Sequence, residues 1–204
     1  MNDIEFAALL VSRVCHDLVS PVSAVGNGLE VLADERDASM RADALKLVTS
    51  SAEQAAAHVK FSRIAFGAAG SVGAELDLTE VGRLIEGVFL GTKVHLEWQA
   101  PPLNWPKNWA KLLMNATLLA ADSLPRGGRV HIEASTDPAT PRFTVRATGL
   151  NARFREEDER AARGEEAGVD SRCIQAFFTH KLARSLNAGL TLTASDGTVE
   201  VAAG

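Results

Sequence analysis

The sequence is poor in cysteine and has no cluster of basic residues. Its two cysteines, Cys15 and Cys173, lie far apart in a chain of 204 residues and form no pair with metal-ligand spacing. This usage predicts neither a zinc site nor a disulfide scaffold, and it fits a reducing compartment. The 21 lysines and arginines are scattered and outnumbered by 26 acidic residues, which gives a net charge of -5. We therefore expect no nucleic-acid partner.

The sequence also has no long uninterrupted apolar run, and no signal peptide is expected from its N-terminal residues. Asp3 and Glu5 occupy the region where a signal peptide carries positive charge. No apolar run approaches the roughly 18 to 20 residues of a membrane span. With 46% hydrophobic and 23% charged residues, the composition is typical of a folded globular protein. We expect a cytoplasmic protein with no membrane partner.

Two long helices are predicted for the first third of the chain. From Asp3 to about Ala33, apolar residues recur every three or four positions, the period of one helix face. These residues are Phe6, Leu10, Val14, Leu18, Val22, Val25, Leu29 and Leu32. Pro21 interrupts one backbone hydrogen bond, so a kink is expected there. A second periodic stretch runs from Met40 towards Phe66 after a short polar segment, and this short connection predicts an antiparallel hairpin.

A two-helix hairpin alone cannot bury both of its apolar faces well. Two copies that form a four-helix bundle would bury them, so the pattern predicts a homodimer. The hairpin could instead pack both faces against the second domain of its own chain. Light scattering distinguishes these two arrangements.

A second domain is predicted after a glycine-containing linker at residues 67–75, which gives domains at residues 1–68 and 76–204. Predicted strands lie at residues 75–78, 93–98, 129–135 and 142–147, with a hairpin that turns at Asp196 and Gly197; predicted helices lie at residues 79–90, 105–123 and 171–186. The acidic stretch at residues 155–166 is interpreted as a solvated loop or frayed helix. The predicted fold class is α+β: a helical hairpin plus an α/β sandwich with helices on one face of a mixed sheet.

His16 lies on the polar face of the first helix, nearly opposite the mean direction of the apolar residues at about 100° per residue. A solvent-facing neutral imidazole can carry a phosphoryl group on one ring nitrogen while a hydrogen bond holds the other. The adjacent Asp17 can hold that second nitrogen, so we assign His16 and Asp17 a catalytic role. An ordinary surface histidine is the simpler alternative. Candidate partner-binding residues on or beside the same face are Ser12, Arg13, Ser20, Ser23 and Asn27.

The motif HDLVSP, from His16 to Pro21, resembles the H-box of sensor histidine kinases, in which a His, an acidic residue, a Leu and a Pro recur at this spacing. Asn115 resembles the asparagine of their ATP-binding domain. The expected Asp-x-Gly-x-Gly motif is replaced by ATGLN at residues 147–151, and no GxGxG precedes the last helix. The acidic stretch at residues 155–166 would repel a triphosphate. We therefore expect a degenerate kinase-ATPase-like domain without ATP, in which Asn115 makes local hydrogen bonds.

The segment RVCHDLVSPVSAVGNGLE, residues 13–30, is similar to the ChpT family of alphaproteobacterial histidine phosphotransferases. This resemblance implies a homodimer that accepts a phosphoryl group from the receiver domain of a hybrid histidine kinase. It further implies that the group passes to the receivers of response regulators that control the cell cycle. No intrinsic cofactor is expected, since the receiver supplies Mg²⁺. Two alternatives remain open: an ATP-dependent histidine kinase with unusual nucleotide loops, and a dimeric scaffold that binds receivers without accepting phosphate.

The remaining histidines and tryptophans suggest structural roles. His58 falls on the apolar side of the second helix and is expected to be buried or at an interface. His180 could face solvent on the last helix and is assigned no role. Trp98, Trp105 and Trp109 are expected to pack the second domain rather than form a ligand cage.

Overall fold

Two long antiparallel helices form the N-terminal part of the molecule. In the computed structural model, which describes residues 1–67 and 73–204, α1 runs over Asp3–Asp34 and α2 over Ala38–Ala65. Asn2 and Glu5 form a capping box at the start of α1, and the Asp37 side chain accepts the first backbone N–H groups of α2. Such caps satisfy donors that have no partner within the helix. The predicted hairpin is confirmed.

The two helices approach each other closely along a line of small residues. Pro21 and Gly28 are the buried residues of α1, and the facing part of α2 buries Ala44 and Ser51. A Cβ atom added at Gly28 would lie 2.6 Å from Cγ2 of Val48. The helix assignment continues through Pro21 without a break, as predicted. Glycine at position 28 therefore lets the helices pack at this distance.

Helix α1 is long and apolar enough, by length and composition alone, to resemble a membrane span, alone among the helices that the structure describes. The most apolar 18-residue window has a mean hydropathy of 1.3, and 6% of it is buried within the chain. A test by length and composition is weak evidence of a membrane segment, and it does not contradict the expectation that no uninterrupted apolar run reaches the length of a span. The low burial shows that most of this apolar surface is uncovered in a single protomer.

The second part of the chain contains seven strands and four helices among its described residues. In chain order these are β1 (Glu75–Asp77), α3 (Leu78–Phe89), β2 (Val94–Gln99), β3 (Asn104–Pro106), α4 (Lys107–Asp122), β4 (Gly128–Ala134), β5 (Phe143–Thr148), α5 (Glu156–Ala162), α6 (Ile174–Ser185), β6 (Leu190–Ser195) and β7 (Thr198–Ala203). The main sheet has the order β2-β4-β5-β7-β6. Strands β2 and β4 are parallel, and the other neighbours are antiparallel. The predicted mixed sheet is confirmed.

Helix α4 lies at the centre of the core. All twelve of its residues from Ala110 to Ala121 are buried, because the helix packs against the sheet on one side and against α2, α3 and α6 on others. The strands bury alternate side chains, including Val130 and Ile132 of β4 and Val199 and Val201 of β7. One face of the sheet is therefore covered by helices, as the strand patterns predicted.

Two segments differ from the sequence-based expectations. Residues 104–106 form β3, which pairs antiparallel with β1, so the following helix begins at Lys107 rather than Trp105. The proline-rich sequence concealed this short strand. The interpretation of residues 155–166 as a solvated loop or frayed helix is wrong for α5, whose Asp158, Ala161 and Ala162 are buried. The linker predicted at residues 67–75 lies largely outside the described residues.

The burial of the tryptophans and of His58 agrees with the sequence-based predictions. Trp105 is fully buried, while Trp98 and Trp109 are partly buried against the core. His58 is half-buried, in agreement with the prediction. His180 is also half-buried, and its Nδ1 lies 2.9 Å from the carbonyl oxygen of Ala162. Helix α5 therefore covers part of the His180 ring, and the residue faces solvent only in part.

Candidate functional site

His16 projects from the middle of α1 into solvent. Its side chain is 83% exposed, and its Nδ1 lies 3.5 Å from Oδ1 of Asp17. This contact is at the long end of a hydrogen bond, as is common for reactive groups without a bound partner. The other ring nitrogen, Nε2, makes no hydrogen bond or salt bridge with a side chain of the described residues. The outward orientation of His16 is the one that the helix period predicted.

A line of charged side chains leads from His16 into the space between the hairpin and the second part. Oδ2 of Asp17 accepts a hydrogen bond from Nε of Arg13 at 3.1 Å. Nη2 of Arg13 in turn donates to Oδ2 of Asp122 at 3.0 Å. Asp122 is the last residue of α4, so this ion-pair line, Asp17–Arg13–Asp122, connects the two parts of the chain.

Arg13 is the central member of the ion-pair line. Its side chain is 14% exposed, less than that of Asp17 or Asp122. Burial by itself lowers the pKa of the guanidinium, but the carboxylates of Asp122 and Asp17 outweigh this effect and raise the pKa. Arg13 therefore stays charged, and it points inward rather than towards a partner at the edge of the polar face.

A cleft of about 400 Å³ opens beside His16. Its walls come from both parts of the chain: Arg13, His16, Asp17, Asp122, Arg155, Ser171 and Arg172. Arg155 is held by Asp158 at 2.7 Å, and Arg172 is held by Asp170 at 2.9 Å. A partner that touches the imidazole would therefore also meet the second part. The sequence did not reveal Asp122, Arg155 or Arg172 as site residues, because they lie more than 100 positions from His16 and only the folded chain brings them near.

The other predicted partner-binding residues lie on the surface of α1. Ser12, Ser20, Ser23 and Asn27 are all exposed. They extend along the helix on both sides of His16, and their short side chains leave the imidazole accessible. The structure thus brings together four of the five predicted docking residues on one open face and directs Arg13 away from it.

A second, smaller cavity of about 210 Å³ lies behind the ion-pair line. His58 of α2 borders it together with Arg13, Asp17 and Asp122. Burial lowers the pKa of the His58 imidazole; Asp17 raises it and Arg13 lowers it further, with a net lowering. His58 is therefore neutral near pH 7 and adds no charge to the buried side of the site.

Asn115 and Lys111 of α4 hold the end of α2. Asn115 is fully buried, and its Nδ2 donates to the carbonyl oxygens of Ala65 at 3.0 Å and Lys111 at 2.9 Å. Nζ of Lys111 donates to the carbonyl of Gly67 at 2.6 Å. The bonds to Ala65 and Gly67 satisfy carbonyl groups at the end of α2 that lack helical partners. The asparagine amide is thus engaged in the junction between hairpin and second part.

Large apolar side chains remain exposed along both hairpin helices. Ten of the twelve such side chains among the described residues belong to α1 or α2: Ile4, Val11, Val19, Val22, Leu29, Val31, Met40, Leu45, Leu47 and Val59. Isolated exposed apolar residues are ordinary, but a concentration on one element indicates a surface for association. The hairpin therefore leaves apolar area that its own second part does not cover.

Comparisons with known proteins identify the family. The family model described as "Histidine phosphotransferase C-terminal domain" matches residues 78–198, which is more than half of the chain. The chain belongs to the histidine phosphotransferase family. It is similar to protein phosphotransferase ChpT of Brucella abortus (strain 2308), with 35% identity over 203 residues that cover 96% of this chain and 93% of the relative. The resemblance seen in residues 13–30 is thereby confirmed.

A solved structure of a bacterial phosphotransferase shows the same fold. A structure described as that of a bacterial phosphotransferase is similar with a TM-score of 0.88 and 30% identity, over 100% of this chain and 98% of the other. The histidine kinase AdeS of Acinetobacter baumannii is similar with a TM-score of 0.49 and 12% identity, over 92% of this chain and 95% of the other. The first of these structures and the family match confirm the predicted α+β fold and the phosphotransferase class.

Proposed function

We propose that this protein is the phosphoryl carrier of a multistep phosphorelay and that His16 is the residue phosphorylated. The donor would be the receiver domain of a hybrid histidine kinase, and the acceptors would be the receiver aspartates of response regulators. The observation that carries this proposal is the 83% exposed imidazole with one nitrogen facing a carboxylate. In a member of the histidine phosphotransferase family, such a group has the chemistry of a phosphoryl acceptor.

The proposed reaction needs little from the carrier beyond position. The lone pair of Nε2 attacks the phosphorus of the receiver's acyl phosphate in line, a P–N bond forms, and the P–O bond to the receiver aspartate breaks. Nδ1 keeps its proton and shares it with Asp17, which balances the positive charge that the ring acquires. Mg²⁺ bound by the receiver's own carboxylates would neutralise the charge on the phosphoryl oxygens, so no intrinsic cofactor is proposed. The reverse reaction delivers the group to a second receiver.

The polar face of α1 is the proposed docking surface for the receiver. Ser12, Ser20, Ser23 and Asn27 would contact the receiver around the site of transfer, while Arg13 would act from behind through Asp17. Positioning two reacting groups is the main contribution that such a surface can make to the rate. The cleft beside His16 would admit side chains of the receiver.

We propose that the active form is a homodimer built on a four-helix bundle. The exposed apolar side chains of α1 and α2 support this, because a second copy of the hairpin presents a matching apolar surface. The dimer would reside in the cytoplasm without membrane attachment. Burial of the same apolar residues in the bundle accounts for the span-like composition of α1.

We propose further that the second part is a degenerate kinase-ATPase-like domain that does not bind ATP. Two observations support this: the missing Asp-x-Gly-x-Gly motif, and the use of the Asn115 amide at the end of α2. The Nδ2 group of Asn115 donates to the hairpin instead of to a nucleotide, and the side chain is fully buried. A role in cell-cycle regulation would follow from the regulators that receive the phosphoryl group.

Labelled phosphate provides the test. The purified protein is incubated with radiolabelled Mg-ATP alone, and separately with receiver domains charged by radiolabelled acetyl phosphate. We expect acid-labile label on the wild type only in the presence of a charged receiver, and no label on His16→Gln. The matched control is His95→Gln, since His95 is also exposed but lies on β2. Label from ATP alone would indicate a kinase, and tight receiver binding without label would indicate a scaffold.

A further inference from the structure

Asp122 is linked to His16 through two other charged side chains, although it lies in a different part of the chain. It belongs to α4 rather than to the hairpin, yet its carboxylate meets the guanidinium that also holds Asp17. The exposed fractions of the side chains are 83% for His16, 20% for Asp17, 14% for Arg13 and 33% for Asp122. The line therefore begins at an open imidazole and continues into the junction between the two parts.

Each link of the line restricts the next side chain. The Arg13 guanidinium is planar, so two carboxylates that bind different nitrogens fix both its position and its plane. With Arg13 fixed, its Nε–H fixes Oδ2 of Asp17, and this leaves Oδ1 of Asp17 directed at Nδ1 of His16. A carboxylate at that place favours the tautomer in which Nδ1 carries the proton. The unprotonated nitrogen is then Nε2, which forms no hydrogen bond to a side chain of the described residues.

We propose that Asp122 is a positioning residue for phosphoryl transfer: acting through Arg13 and Asp17, it selects the His16 tautomer that has Nε2 as its nucleophile. The inference rests on the proposed function and extends it, since it gives the second part a task at the reacting group without any nucleotide. Asp122 itself forms no bond to the phosphoryl group. The proton stays on Nδ1 throughout, and the new P–N bond forms at Nε2.

A purely structural role for Asp122 makes a different prediction. If Asp122 only joined the two parts, its removal would lower stability but leave the tautomer of His16 and the reactivity of correctly folded molecules unchanged. The pair Arg146–Glu200 offers a matched control. Its distance is 2.8 Å and Glu200 is 32% exposed, close to the 3.0 Å and 33% of Arg13–Asp122, but it links two strands of the sheet.

The test measures the tautomer and the reactivity separately. The chain has five histidines, so nitrogen-15 labelling of the rings gives five pairs of signals, of which the His16 pair disappears in His16→Gln. Reactivity is measured with phosphoramidate, a small donor whose P–N bond breaks to release ammonia as the imidazole takes the phosphoryl group. This reaction requires no receiver, so a failure of the relay proposal and a failure of the Asp122 proposal give different results.

We expect Asp122→Ala to reduce the Nδ1-protonated fraction of His16 and to slow its phosphorylation about tenfold, which is less than the loss of a group that itself transfers a proton, because Asp122 acts through two other side chains. Asp122→Asn keeps the size of the side chain and an oxygen acceptor, so an intermediate loss is expected. Asp122→Glu, which keeps the charge, should restore much of the rate, and Glu200→Ala should match the wild type. All variants are compared at a temperature where circular dichroism shows them folded. A folded Asp122→Ala with the wild-type tautomer and rate would overturn the proposal.

Discussion

The helical hairpin and the second part of this molecule differ in how far their apolar residues are buried. The hairpin leaves ten large apolar side chains exposed and buries few residues between its helices. The second part and the end of α2 together enclose α4, so that its twelve consecutive residues from Ala110 to Ala121 are buried. Apolar residues covered within their own chain need no partner, whereas a concentration of uncovered ones presents a surface for association. The comparison supports the proposal that the hairpin carries the surface for association, while the core around α4 stabilises the chain.

The strongest test of this comparison places charge on the exposed apolar side chains of the hairpin. In Leu29→Glu and Val22→Glu, the symmetric dimer would bury one carboxylate from each copy, and an unpaired buried charge is costly enough to prevent association. We expect both variants to be monomers by light scattering at concentrations where the wild type is a dimer. Leu150→Glu is the control, because Leu150 is 64% exposed outside the hairpin. A wild type that is itself monomeric would refute the homodimer.

A second test removes apolar volume from the second part. Leu113 is fully buried in α4, so Leu113→Ala should lower the free energy of unfolding by about 2–5 kcal/mol. Leu90 is 60% exposed, so Leu90→Ala should change the free energy of unfolding by no more than about 0.5 kcal/mol. Urea unfolding at a fixed protein concentration measures both. Equal effects at the two positions would contradict the placement of the core around α4.

A third test concerns the close approach of α1 and α2. A Cβ at Gly28 would meet Val48 at 2.6 Å, so Gly28→Ala should destabilise the hairpin by about 1–3 kcal/mol, as overpacking does. Gly26 has nothing within 4 Å of an added Cβ. Gly26→Ala should therefore raise the unfolding free energy, by up to about 1 kcal/mol from helix propensity. If urea unfolding shows changes of opposite sign in the unfolding free energies of the two variants, the close contact of Gly28 with Val48 is confirmed. Changes of the same sign would contradict it.

The smallest effect is expected at His58 of α2, which borders the smaller cavity. Its pKa is lowered chiefly by burial, so the folded protein binds this proton less readily than the unfolded chain, whose histidine titrates near about 6.5. The contribution to the unfolding free energy is therefore fully present above that pH and declines as the pH falls below it. Urea unfolding of His58→Gln should lose this part of the pH dependence between pH 7.5 and 5.5. If the unfolding free energy of His58→Gln had the same pH dependence as that of the wild type, His58 would not be buried enough to alter its pKa.

Periodic patterns predicted more of this molecule than contacts between distant residues. The apolar period of α1 predicted both the hairpin and the outward direction of His16, because a regular helix fixes where each side chain points. The strand alternation at Val130 and Ile132 predicted the covered face of the sheet. The acidic composition of α5 misled, since its buried side depends on Asp158 pairing with Arg155. Asp122 left no signal, because its partner Arg13 is 109 positions away.

The bonds of Asn115 to the end of α2 and of Arg13 to Asp122 lie at two separate points of the junction between hairpin and second part. Two separated attachments prevent one body from turning on the other, where a single attachment would act as a pivot. The imidazole of His16 and the walls of its cleft, which belong to the same chain, therefore keep a constant arrangement. Under the proposed function, each chain would carry one complete transfer site, even though the proposed bundle needs two chains.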